Sequence, residues 1–285
     1  MYKSQLYTSS TGTYCTAVGS AALYTSNADN CTAVGYYALK SNTTGTRGTA
    51  VGSETLEANT TGAKNTAVGY QALTANTTGA ENTAIGYQAL TANTTLGTHT
   101  AVGAHALKAN STGTNNTAIG IESGKTITTG TYNTFVGSEA GRGATITGGS
   151  NTGVGYASAY SLTSGANNTF VGLWSGFTTS TGNSNVAIGF GAADSLTDGG
   201  GNVVIGHTAG TAITDANTNA IVGFQAGSSI TEGSNNTCIG TDAGSSITTG
   251  GNNVCVGHDA GADALAGITT TSNGVILGNV STNNF

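Results

Sequence analysis

The chain has no proline, one methionine and one tryptophan among its 285 residues, and only 7% of them are charged. An ordinary enzyme domain draws on far more charge than this. No stretch approaches 18 consecutive apolar residues, so no transmembrane helix or membrane insertion is expected. The opening MYKSQLYTSSTGTY has no signal-peptide core, so synthesis and assembly in the cytosol are expected. All seven basic residues lie at or before Arg142, and the chain beyond carries seven carboxylates and no Lys or Arg. Phosphate binding needs clustered positive charge, which argues against nucleic acid as a partner and equally against a membrane surface. The four histidines, His99, His105, His207 and His258, stand at no recurring spacing from Ser, Cys or carboxylates, and there is no C-x-x-C or zinc spacing. No catalytic residue is therefore assigned, and the chain reads as a non-enzyme.

What the chain has in abundance is glycine, 46 residues, with threonine and asparagine, arranged in a strict period. The glycine that closes each TAVG-like tetrad serves as an anchor: Gly19, Gly35, Gly52, Gly69, Gly86, Gly103, Gly120, Gly137, Gly155, Gly172, Gly189, Gly206, Gly223, Gly240, Gly257 and Gly278. The spacing is 17 residues except for 16 after Gly19, 18 after Gly137 and 21 after Gly257. That is too short for paired helices, and Gly, Thr and Asn at this density break helices. It suits one coil of a parallel β-solenoid, about 16 coils in all. A β-branched residue precedes nearly every anchor, and a turn such as TTG or STG follows about ten residues later, so each coil reads as strand, short second strand, turn.

Two dialects divide the repeats. From Gly19 to Gly103 the fourth residue after the anchor is Leu and the seventh is polar, usually Asn; from Gly120 onward the fourth is Gly or Ala and the seventh is often Ile or Leu. One bulky aliphatic moves three places while the period holds, as it must if each coil interior is filled once to native density. The expected segments are a lead-in (1–14), Leu-type coils (15–124), Ile/Gly-type coils (125–267), and a terminal coil and tail (268–285).

Along the strand, Thr66 and Val68 point one way and Ala67 and Gly69 the other, and neither face carries charge in any copy. Both faces therefore read as buried. The column Ala67, Ala84, Ala118, Phe135, Phe170, Val204, Ile221 and Ile276 is expected to form the core or the axis of a parallel homotrimer. Trp174, at a position otherwise mostly polar, has Phe177, Tyr156, Tyr160 and Phe190 in its own and neighbouring coils, a candidate platform for a glycan or other receptor group. Asp198, Asp215 and Glu232 each stand nine residues after an anchor and should stack about 4.8 Å apart; a solvated ladder is expected, with Ca²⁺ the one candidate cofactor. Cys15 with Cys31 and Cys238 with Cys255 occupy equivalent places in neighbouring coils, inside disulfide range. They read as small apolar fillers of the core, and their disulfide state is left open.

The pentads NTAVG and NTAIG, with NTFVG, NVAIG and NTCIG, resemble the head repeats of trimeric autotransporter adhesins. The NNTAIGxxxx and AGxxITTG patterns resemble phage tail-fibre arrays more closely still. The likeness runs from residue 15 to about 280 and implies a trimeric, left-handed parallel β-roll. The closing SNGVILGNVSTNNF resembles the segment that precedes a self-cleaving chaperone of the endosialidase type. The resemblance implies a structural segment of a phage tail fibre in the virion, contacting itself, other fibre proteins and a host-surface glycan or protein. Fifteen intervals of roughly 4.8 Å would give a rod of about 70 Å. The alternatives are the head of a cell-surface trimeric adhesin and an ice-binding solenoid. The recurrent Thr invites the last, but it gives way to Val186, Val203, Ala220, Val254 and Val275, as expected of an inward column.

Overall fold

A computed structural model describes residues 12–262 and 269–278. Most of the expected lead-in, and residues 263–268 and 279–285, lie outside the described residues. The three residues before each anchor form a strand, from β1 (Thr16–Val18) to β16 (Val275–Leu277), and every strand is parallel to its neighbours; no helix occurs among the described residues. The chain falls into two units, Met1–Thr147 with β1 to β8 (Thr134–Val136) and Gly148–Phe285 with β9 (Thr152–Val154) to β16. Within each unit every strand pairs in register with the next in sequence, Thr66 beside Thr83 and Ala67 beside Ala84. The all-β, 17-residue solenoid expected from the period is therefore present.

The expected second strand is absent. Residues two and four after the anchor have positive φ, as at Gln71 (54°) and Leu73 (52°), and two left-handed residues in five turn the chain too sharply for a pleat. The anchor itself must be glycine for two reasons. Gly69 sits at φ 126°, and a Cβ there would lie 2.5 Å from the carbonyl oxygen of Gly86 in the next coil.

The inside of a coil is one space shared by three positions: the middle residue of the strand, the fourth after the anchor and the seventh. In the coil of Gly69 these are Ala67, Leu73 and Asn76, all fully buried. In the coil of Gly172 they are Phe170, Gly176 and Thr179, and a Cβ on Gly176 would come 2.5 Å from the Phe170 ring. In the coil of Gly223 they are Ile221, Gly227 and Ile230. Bulk gained at one position is offset by a small residue at another, Gly176 beside Phe170 and Gly227 between Ile221 and Ile230, which is the volume conservation that close packing demands.

This arrangement corrects the trimer-axis expectation. Ala67, Ala84, Ala118, Phe135, Phe170, Val204 and Ile221 are buried inside their own chain, at most 1% exposed, and only Ile276 in the last strand is part-exposed. They are core residues of the coil, not an axis between chains. The strand presents Thr and Val outward instead, so the Thr column is an outward column as well.

Asparagine four residues before the anchor ties coil to coil. In the second unit Asn168 Oδ1 accepts the backbone N–H of Asn185 (2.9 Å), and Asn185 Nδ2 donates to the carbonyl of Gly199 (2.8 Å); the pattern repeats through Asn253. Fully buried amides are costly unless both ends are satisfied, and here both are. His99 takes this place in the first unit: its Nδ1 accepts from the Asn116 N–H at 3.3 Å. A second ladder, Asn59 to Asn42 (2.9 Å), Asn76 to Asn59 (2.8 Å) and Asn93 to Asn76 (3.0 Å), then stops. The Asn110 amide nitrogen turns to the His99 ring and the Gly113 carbonyl, leaving buried Asn93 Oδ1 without a donor.

Two outcomes follow. Gly176→Leu alone should abolish folding of its coil by collision with Phe170, at a cost of about 3 kcal/mol or more. The exchange Phe170→Ala, Gly176→Leu, Thr179→Asn should recover most of that loss in denaturant midpoint. Burial lowers the His99 pKa from 6.5 to about 4, so the folded state holds it neutral. Above pH 6.5 it costs nothing; between pH 6.5 and 4 the unfolded chain takes up a proton the folded one refuses, and stability should fall by about 3 kcal/mol. His99→Asn should remove that slope and restore both ladders, read by melting at pH 7 and pH 5.

Candidate functional site

Because each coil repeats the last, any side chain that recurs at one position becomes a column. The outward strand face carries two columns, Thr and then Val or Ile, with no charged residue in either. In the first unit the Thr column is unbroken from Thr16 to Thr134, and its partner column leaves Ile85 39% and Ile119 40% exposed. In the second unit the Thr column becomes largely apolar through Val186, Val203, Ala220, Val254 and Val275, while Ile188 and Ile239 stand exposed beside it.

The residue after the anchor makes a further exposed column. Tyr36, Tyr70, Tyr87 and Ile121 in the first unit, and Tyr156, Leu173, Phe190 and Phe224 in the second, are exposed there. Tyr70 and Tyr87 stack at 5.6 Å between ring centroids; Phe190, His207 and Phe224 form a continuous stack at 4.9 and 5.4 Å with interplanar angles of 16° and 20°.

The structure brings together most of the expected aromatic patch. Tyr160 and Phe177, both five residues after their anchors, stack at 4.9 Å; Trp174 meets Phe177 edge-on at 6.4 Å and leans on Phe190 at 5.8 Å. Tyr156 is exposed on the post-anchor column, beside Leu173 rather than within this ring cluster, and its carbonyl accepts the Trp174 N–H at 3.1 Å. Sequence reading missed His207 and Phe224, although both follow an anchor, as Phe190 does, and the register rule alone places them in one column. Stacked rings turn their faces to each other and their edges to solvent. Trp174, tilted at 52° to Phe190 and 67° to Phe177, is the ring set apart from that stacking.

Asp198, Asp215 and Glu232 are exposed in one column. Asp198 accepts the Thr181 hydroxyl (2.5 Å) and Asp215 that of Thr197 (2.9 Å), both from the preceding coil. Among the described residues no three His, Cys, Asp or Glu side chains are grouped so as to hold a metal ion. Opposite charges also meet coil to coil in the first unit, Lys64 with Glu81 at 2.7 Å and Glu122 with Arg142, while Glu122 pairs within its own coil with Lys125 at 2.8 Å. The Lys125 hydrogen bond, then the Arg142 charge, hold the Glu122 carboxyl below its usual range despite some burial.

Compared with known proteins, the chain matches no family model, no curated protein and no solved structure.

Proposed function

We propose that this chain is a structural fibre segment that assembles as a parallel homotrimer and carries or spaces a receptor-binding surface, as in a phage tail fibre. The observation that carries this reading is the outward strand face. Its Thr and Val columns, together with the exposed post-anchor aromatics, leave an uncharged run of exposed apolar side chains in each unit, the kind of surface that marks an interaction site. A second copy offers the same repeat at the same spacing, so parallel copies match coil for coil. The sequence resemblance to phage-fibre arrays and adhesin heads favours three copies; a trimeric adhesin head is the alternative setting for the same assembly. The partners under this reading are further copies, other fibre or virion proteins and a host-surface glycan or protein, with Trp174 the ring best disposed to stack on a sugar.

The unbroken Thr column of the first unit favours one further reading, ice binding, since it faces outward. Its replacement by Val and Ala in the second unit fits a dry contact between copies better than an ice-ordering hydroxyl array. Thermal hysteresis in dilute solution would establish the ice reading, and its absence would remove it.

Light scattering should give three times the 27.8 kDa chain mass. Ile119→Asp should leave the coil folded by circular dichroism, because the side chain points outward, yet break assembly by burying carboxylates against one another. Ile221→Asp should instead disrupt the coil interior. A folded, soluble wild-type monomer would overturn the proposal. Trp174→Ala should weaken binding to host cells or glycans at least tenfold without changing mass, since a stacked aromatic contributes about 1–3 kcal/mol in comparable base-stacking sites.

A further inference from the structure

The four cysteines fall in two pairs, each in neighbouring coils. Cys238 in β14 (Thr237–Ile239) and Cys255 in β15 (Val254–Val256) are direct register partners, both buried and both reduced. A Cβ on Gly244 would collide with Cys238 Sγ, so a glycine keeps the room in which that sulfur lies. Cys15 and Cys31 stand four residues before Gly19 and Gly35, the place that asparagine holds in most other coils. Cys15 Sγ accepts the Cys31 N–H at 3.4 Å, and Cys31 Sγ donates to the Gly45 carbonyl at 3.3 Å, the two contacts asparagine makes elsewhere. No coil between these pairs carries a cysteine.

We infer that each pair is a site of oxidative modification, closing one disulfide between consecutive coils, Cys15 to Cys31 and Cys238 to Cys255. In-register parallel strands hold equivalent Cα atoms about 4.8 Å apart with side chains projecting the same way, inside the range a disulfide spans. The oxidant is a small disulfide such as oxidised glutathione. The thiolate of one cysteine attacks it, forming a mixed disulfide and expelling one glutathione thiolate. The second cysteine then attacks the mixed disulfide, forming the Sγ–Sγ bond and releasing the other glutathione; the two cysteine protons end on the two glutathiones. In the first pair the half-buried Cys15 is the accessible partner, burial pushing the Cys31 thiol up. In the second pair both thiols are buried, so exchange with the oxidant takes place during refolding or when the two coils open. A coil in a one-dimensional stack is held by its immediate neighbours, so each bond acts on the opening of its own pair of coils.

The test uses the full chain, both refolded in and incubated folded with oxidised glutathione, then alkylated and mapped by peptide mass spectrometry. The expected result is two intrachain cross-links, Cys15–Cys31 and Cys238–Cys255, reversed by dithiothreitol. Amide exchange by local opening in the linked coils should slow by about 100-fold, with the central coils unchanged. The double variant Cys238→Ala, Cys255→Ala, whose alanines match the commonest residue of that column, should fold and lose the effect in β14 and β15 alone. Free thiols after refolding in the oxidant, cross-links between chains or between the two pairs, or exchange that does not slow would each overturn the inference.

Discussion

Everything in this chain depends on the distance between one coil and the next. The anchor glycines set it: with a hydrogen in place of a side chain, Gly69 comes so close to the Gly86 carbonyl that no Cβ fits, and the strands on the N-terminal side fall into register. Strand pairing alone is weak here, since each strand is three residues long. The buried asparagine amides add a second set of coil-to-coil bonds along a different line, and a fully satisfied ladder of this kind admits one register only. A slip by one residue would strand a column of amides in an apolar interior.

With the spacing fixed, repetition converts sequence position into a column in space, and each column has its own physics. Thr181 and Asp198, Lys64 and Glu81, Phe190 and His207 are 17 residues apart in sequence and touch. Exposed ion pairs of this sort contribute little each. Their effect is on register more than on stability, because opposite charges meet only when the coils align. Like carboxylates such as Asp198 and Asp215 sit in one column without disrupting it, each occupied by a hydroxyl from the coil before.

The period, the strand before each anchor and the exchange of bulk between the fourth and seventh positions were legible because each leaves a recurring signature. The direction of the strand was not. Alternation separates two faces without saying which is inside, and bulk suggests Val rather than Ala. What decides it is reciprocity: Ala67 faces Leu73 and Asn76, whereas Phe170 faces Gly176 and Thr179, so the middle strand position shares a space with the others. The residue before the anchor stays Val or Ile whatever happens there, and so belongs to a different environment. The left-handed turns after the anchor were hidden for another reason. Leu73 and Gln71 occupy conformations that glycine ordinarily takes, and only the later coils, with Gly176 or Gly227 at the equivalent of Leu73, reveal the requirement.

The inside and the outside of the strand thus vary under different rules. Inside, bulk migrates among three positions from coil to coil, and polar residues such as His99 can enter the ladder at the cost of one unsatisfied amide oxygen. Outside, the residue before the anchor is β-branched in every strand except the last, and the Thr column changes only toward Val and Ala, never toward charge. Solvent would impose no such restriction, since a water-facing strand position accepts Lys or Glu at little cost. A column that keeps its shape and stays uncharged in every strand is the pattern expected of a face covered by something that repeats at the same spacing, which is why the proposed assembly sets a parallel copy of the same solenoid against it.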